Sequence, residues 1–181
     1  MLSNYDLKRI AGELKLPLVD VVSKDELKGQ KRQIGSWVIN LQDEDAGSGS
    51  HWVFLKIFSD KLRDDNSSEG ADTSEEDEDE YSLLEKRHEV GAIYFDPFGI
   101  YMPKDVLEFI KPLRPKVVRN DKQIQSVRSS QCGWYCLACD YCLEYKQYGK
   151  TYFDDFRRFL EMFDEDPKKN LTILKGFFKP L

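Results

Sequence analysis

The chain has 181 residues, with 33 Asp and Glu against 27 Lys and Arg, a net charge of −6 and only two histidines. That length suits one packed domain and is short for two. No apolar run approaches the length needed to span a bilayer, and the opening Met1-Leu2-Ser3-Asn4-Tyr5-Asp6 lacks a secretory leader's charged-then-apolar order, so a soluble protein of the cell interior, or one packaged from it, is expected.

The negative charge is local. Asp64 to Glu80 holds ten acids and no Lys or Arg, and without them the net charge becomes +4. A basic cluster at Lys111, Arg114, Lys116, Arg119 and Lys122 is compatible with a polyanionic partner, although a solvated surface is the plainer reading of such a run.

Ser3 or Asn4 can cap a helix whose apolar positions Leu7, Ile10, Ala11 and Leu14 recur at helical spacing until Pro17 stops it. Leu18 to Gln33 shows a weak pattern, read as a loop with one short turn. Two β-rich runs follow, Trp37-Val38-Ile39-Asn40-Leu41 and His51 to Phe58, joined by an acidic loop in which Gly47 and Gly49 place His51 at the head of the second strand.

Residues at about 59–82 form a tract of Asp, Glu, Ser and Gly too polar to offset its ordering entropy, expected to be a disordered insertion. Because the strand-like Val90 to Phe95 follows, the insertion is expected to join two strands of one sheet. That strand ends at Asp96-Pro97, where proline removes the ladder's donor. A helix from Pro103 to Pro112, a strand at Lys116 to Arg119, a turn at Asn120-Asp121 and a second short strand from Ile124 to Val127 come next. A helix from Cys132 to about Tyr145 and a C-terminal helical segment at about 152–179, with aromatics at helical spacing, complete the chain.

All four cysteines lie between Cys132 and Cys142, too close along one helix for a disulfide framework. At Cys132 a polar run (Ser126, Arg128, Ser129, Ser130, Gln131) gives way to an apolar helical one. A thiol at a helix's first turn meets free N–H groups and the positive end of the dipole, which favour thiolate, with pKa values of roughly 3.5–7.5 in reactive sites. The spacing Cys132-x3-Cys136-x2-Cys139 also fits an iron–sulfur loop, but the continuous helical pattern makes Cys136, Cys139 and Cys142 small buried residues. No metal site is expected.

A thiol nucleophile needs a base within hydrogen-bond reach and a carboxylate orienting that base. His88 sits among charges and reads as surface. His51 heads a strand, is followed by Trp52, whose ring can shield an imidazole, and precedes Asp96 and Cys132 in chain order. Singly, a strand histidine is more often structural and Asp-Pro is a common turn. Together they are stronger, because Gln125 lies on a separate short segment from which its amide can meet a developing oxyanion alongside the Cys132 N–H, and Gly133 lets backbone approach a substrate carbonyl.

Gly49-Ser50-His51-Trp52, Tyr94-Phe95-Asp96-Pro97-Phe98-Gly99, Gln125-Ser126-Val127 and Gln131-Cys132-Gly133-Trp134-Tyr135-Cys136 resemble the corresponding blocks of the adenovirus maturation protease. The flanking Trp37 to Gln42 is more similar to relatives from virophages and Polinton/Maverick elements. The resemblance spans roughly Gly35 to Cys142 apart from the acidic tract. It implies an α+β fold, a papain-like cysteine protease in circular permutation with a central mixed sheet flanked by helices and the nucleophile at a helix N-terminus. It implies Cys132 as nucleophile, His51 as base and acid, Asp96 as orienting residue and Gln125 in the oxyanion hole. Trp52, Gly133 and Trp134 are expected to bind substrate, the two tryptophans lining a narrow cleft that admits small side chains and Gly133 letting backbone approach the scissile carbonyl. The implied setting is a monomer acting on viral capsid or precursor polypeptides in the host cytoplasm, virus factory or virion, with no membrane partner; the sequence itself requires no cofactor, and the resemblance allows DNA or an activating peptide as one. Two departures stand out. Asp replaces the adenoviral Glu, as in proteases that deconjugate SUMO and ubiquitin-like proteins, which keeps that activity as an alternative. The disulfide that holds the adenoviral activating peptide does not carry over to a chain whose cysteines share one helix.

Overall fold

The computed structural model describes residues 2–43, 45, 51–59 and 90–178. Apart from Ser59 the expected acidic insertion lies outside them, as do His88 and the loop glycines Gly47 and Gly49.

Among the described residues five strands form one mixed sheet in chain order: β1 (Leu18–Ser23), β2 (Gly35–Asn40), β3 (Trp52–Ser59), β4 (Val90–Phe95) and β5 (Lys116–Arg119). The three central strands pair antiparallel, and the outer pairs β1–β2 and β4–β5 are parallel. Helices cover both faces, so β3 and β4 are buried on both sides and read as continuous apolar runs. Alternation along β3 assigns the layers. Trp52, Phe54 and Phe58 join one core with α1 (Asn4–Glu13), α3 (Cys132–Tyr141), α4 (Tyr152–Glu161) and α5 (Asn170–Phe177). Val53, Leu55 and Ile57 join the other, with Trp37, Tyr94 and α2 (Lys104–Ile110). The register sets Phe58 opposite Gly91, where a Cβ would come within 2.4 Å of the ring; the aromatic covers the glycine's open backbone.

Most elements sit where the pattern places them. Ser3 caps α1 through a capping box with Asp6, whose carboxylate accepts the Ser3 N–H at 2.9 Å. β3 and β4 are neighbours, as expected for strands flanking an insertion. The C-terminal aromatics pack inward: Phe156 and Phe159 meet Phe95 edge-on with centroids 6.1 and 5.4 Å away, and Phe163 meets Tyr135 of α3 at 5.6 Å.

Two expectations fail. Leu18 to Gln33 is not a loop but β1 followed by a 3-10 turn at Lys24–Gly29. As an edge strand with only its second half buried, and with a register shift between Leu18 and Asp20, β1 lacks a clean alternation. Ile124 to Val127 is not a strand: the Ile124 and Gln125 N–H groups both donate to the Pro97 carbonyl, at 3.0 and 2.9 Å, and Ser129 N–H closes a turn on Ser126. The cysteine helix runs as far as expected, its α-helical part Cys132–Tyr141 continuing as a π turn at Cys142–Lys146.

Candidate active site

His51 lies one residue before β3, its carbonyl accepting the Leu41 N–H at 2.9 Å. Its side chain is 12% exposed and its ring stacks on Phe98, with centroids 4.6 Å apart and planes at 25°. Nε2 lies 2.8 Å from Asp96 Oδ1. Nδ1 is buried without a fully formed hydrogen bond among the described residues. Because Asp96 occupies Nε2, Nδ1 is the nitrogen left for a thiol.

Asp96 follows β4 directly and is wholly buried. Oδ1 also accepts the Phe98 N–H at 2.7 Å, and the Gly99 N–H returns to the Asp96 carbonyl at 2.8 Å. Gly99 holds φ of 71° there, a left-handed conformation favouring glycine, and a Cβ would come within 2.7 Å of the Asp121 carbonyl.

Cys132 is the first residue of α3 and is 1% exposed. The preceding Gln131 makes no side-chain capping bond. The first N–H groups of the helix are therefore not neutralised by a cap, which leaves them to an incoming anion. Burial by itself would depress the His51 pKa. Hydrogen bonding with Asp96 and Cys132, and the negative charge of those two groups, outweigh it and push the imidazole up to about 9, so His51 is charged at neutral pH.

Gln125 is wholly buried. Its backbone N–H is anchored on Pro97, next to Asp96, and its side-chain Nε2 donates to the Ser129 carbonyl at 2.7 Å, three residues before Cys132. One of the two amide protons is thus used to fix the side chain, and the amide makes no other hydrogen bond among the described residues. The structure brings His51, Asp96, Gln125 and Cys132 to one end of the sheet, from a strand head, a strand end, a turn and a helix start.

The expected cleft residues divide differently. Trp52 is 0% exposed and its indole N–H donates to the Leu2 carbonyl at 3.1 Å, so it forms core behind the site and lines no cleft. Gly133 is also buried. A Cβ there would meet Leu7 at 3.0 Å, Leu2 at 3.4 Å and Trp52 at 3.5 Å, so the absent side chain makes room for Leu2 and Leu7 of the N-terminal segment. Trp134 does line a cleft of about 390 Å³ with Gln131, Leu171 and Phe178, its ring edge-on to Phe178 at 4.9 Å. A second cleft of about 360 Å³, bordered by Arg128, Ser129, Gln131, Lys168 and Leu171, adjoins it through Gln131 and Leu171.

Phe98, Asn120 and the cleft residues Lys168 and Leu171 gain their places only from the structure. Phe98 lies within the Phe-Asp-Pro-Phe-Gly block, but nothing in that block assigns it a role. Asn120 follows β5, and the alignment of Tyr94 with Arg119 sets it beside Asp96, a signal visible only once β5 is paired parallel to β4. No local pattern marks Lys168 or Leu171.

A buried thiol facing a charged imidazole, with a carboxylate behind the ring and a helix start that Gln131 does not cap, is equipped for nucleophilic acyl transfer. Neither a protein-family model nor a curated protein matches the chain. Among solved structures it is similar to the crystal structure of an ASFV protease, with a TM-score of 0.42 and 15% identity, covering 91% of this chain and 68% of that one.

Proposed function

We propose that the protein is a cysteine endopeptidase in which residues 1–181 act as one protease domain. The observation that carries the reading is the contact of 2.8 Å between His51 and Asp96, with Cys132 at the start of α3 interacting with the same imidazole.

The Cys132 thiolate attacks the scissile carbonyl carbon, and the oxyanion forms against the Cys132 N–H and the Gln125 amide. His51, charged, gives its proton to the leaving amine as the C–N bond breaks, leaving a thioester. His51, now neutral, takes a proton from water; the hydroxide attacks the thioester, releasing the carboxylic acid product and restoring the thiolate–imidazolium pair. Asp96 holds the ring's Nε2 and stabilises its charge throughout.

The substrate reading rests on the motif blocks around His51, Asp96, Gln125 and Cys132, which resemble those of adenovirus-type maturation proteases arranged as a permuted papain-like fold. On that basis the protein processes viral capsid or precursor polypeptides, as a monomer in the host cytoplasm, virus factory or virion, with DNA or an activating peptide as activator. Asp96 in place of Glu favours a second reading, an isopeptidase for SUMO-like conjugates. Labelling with an electrophilic peptide bearing a small-residue cleavage sequence tests the chemistry: label that persists in Cys132→Ser, or turnover that survives His51→Ala, refutes it. Offering a capsid precursor and a SUMO-like fusion side by side, with and without DNA, separates the two substrate classes.

A further inference from the structure

Asn120 has no role in the chemistry above, yet it is 1% exposed and its side-chain amide makes three hydrogen bonds. Its Oδ1 accepts the Asp96 N–H at 2.9 Å, and its Nδ2 donates to the Asp96 carbonyl at 2.6 Å and to the Lys122 carbonyl at 3.0 Å. One side-chain amide therefore grips both backbone groups of Asp96, as a neighbouring strand would. It does so where the ladder between β4 and β5 has stopped, because β5 ends at Arg119. The loop that Asn120 opens continues to Gln125, whose N–H returns to the Pro97 carbonyl. Asp96 and Gln125 are thus tied to each other across that loop.

We propose that Asn120 is a positioning residue of this site: by clamping the Asp96 backbone it aims the Asp96 carboxylate at His51 Nε2 and sets Gln125 relative to it. This role rests on the protease reading only in that His51 and Asp96 act as a pair. The chemistry demands an amide, since aspartate at position 120 keeps an acceptor but has no donor for the two carbonyls. Loosening the clamp lets the carboxylate drift, and a displacement of about 1 Å is enough to weaken both the hydrogen bond and the charge interaction that keep the imidazole protonated.

The chain's two histidines make the test direct, because NMR titration resolves His51 from His88 once one of them is assigned by substitution. Asn120→Ala is expected to lower the His51 pKa by about one unit or more. Asn170→Ala is the matched control. That asparagine is equally buried, accepts the Asp164 N–H at 2.7 Å and donates to the Ile124 and Asp164 carbonyls at 3.0 Å each, but makes no hydrogen bond to His51 or Asp96. It is expected to lower the melting temperature while leaving the His51 titration in place. On a peptide substrate, Asn120→Ala is expected to reduce kcat by about 10²-fold with KM little changed. A His51 titration that is the same in wild type and Asn120→Ala overturns the proposal. If Asn120→Ala does not fold, Asn120→Ser takes its place in the titration; if neither folds while Asn170→Ala does, Asn120 is a structural residue and the proposal also falls. Wild-type protein that shows the shifted titration but never reacts with the electrophilic peptide refutes the protease reading and leaves the positioning role standing.

Discussion

Helix α3 and the turn after it carry four thiols, each 1% exposed or less, and its two ends treat them in opposite ways. At the first turn Cys132 meets a charged imidazole backed by Asp96, and the helix start is uncapped. Further along, burial pushes the Cys136 and Cys139 thiols well up and the Cys142 thiol up to about 12. The charges at that end are spent on each other. Lys56 of β3 pairs with Glu144 and donates to Ser36 at 3.2 Å, and Ser36 donates to Asp140 at 2.8 Å. Burial alone silences a thiol. What distinguishes Cys132 is a neighbour whose charge and hydrogen bonds are available to it; unpaired polar atoms occur at both ends among the described residues, His51 Nδ1, Asp96 Oδ2 and Gln125 Oε1 at one and Asp140 Oδ2 at the other.

The largest effect expected from this contrast separates the thiols outright. Cys132→Ala should lose turnover by about 10⁴-fold or more, together with all labelling by an electrophilic peptide. Cys136→Ala, Cys139→Ala and Cys142→Ala should still label and lose only stability, about 1–3 kcal/mol each in urea unfolding. Label found by mass spectrometry on any of those three would break the comparison.

At the other end of the helix the ion network is expected to matter for folding alone. Lys56→Met leaves Asp140 and Glu144 without their buried cation and should cost about 3–5 kcal/mol in urea unfolding, with the labelling rate of the folded protein preserved. A cost below about 1 kcal/mol would mean that the network contributes little.

The two ends should also differ in pH dependence. His51 has a folded pKa of about 9 against an ordinary 6.5, so its contribution is fully present below about 6.5 and is lost as pH rises through 9. The stability difference between wild type and His51→Ala should shrink by roughly 3 kcal/mol across that window, and labelling should show an alkaline limb near the same pH. Cys132→Ala should lower the His51 pKa, because Cys132 is one of the groups that raise it. An unmoved His51 titration in that variant would uncouple the pair.

Much of the N-terminal end of α3 was legible in the sequence because each residue there sits at a local boundary. Cys132 marks a polar-to-apolar switch, His51 heads a strand and Asp96 precedes a proline. β3 and β4 were legible for the same reason that they are central: burial on both faces leaves an unbroken apolar run. What was not legible depends on pairing between distant segments. Asn120 acquires its role from the parallel register of β4 and β5, and Lys56 finds Glu144 88 residues away. Trp52 is a different case. Strand alternation already groups it with Phe54 and Phe58 on the face that packs against α3, so its burial follows from periodicity, which outweighs its adjacency to His51.

The smallest expected effect concerns Asp140 and turns on the sign of a shift that resembles that of His51. Burial pushes the Asp140 carboxyl up to about 6 from an ordinary 3.8, against the opposing pull of Lys56 and Ser36. For an acid, a raised pKa means that the folded state prefers the proton. The associated stability is fully present below about 3.8 and is lost as pH rises through 6, so at neutral pH the ionised carboxylate is a net cost. An asparagine side chain at this position would keep the Ser36 contact without the charge but would forgo the attraction of Lys56. Asp140→Asn should therefore be more stable than wild type by about 1 kcal/mol at about pH 8, with the gain vanishing near pH 4. The same upward displacement that keeps His51 charged and ready at one end of α3 is, at the other end, a burden that an uncharged isostere relieves. A variant less stable than wild type at both pH values would show instead that Lys56 needs both carboxylates.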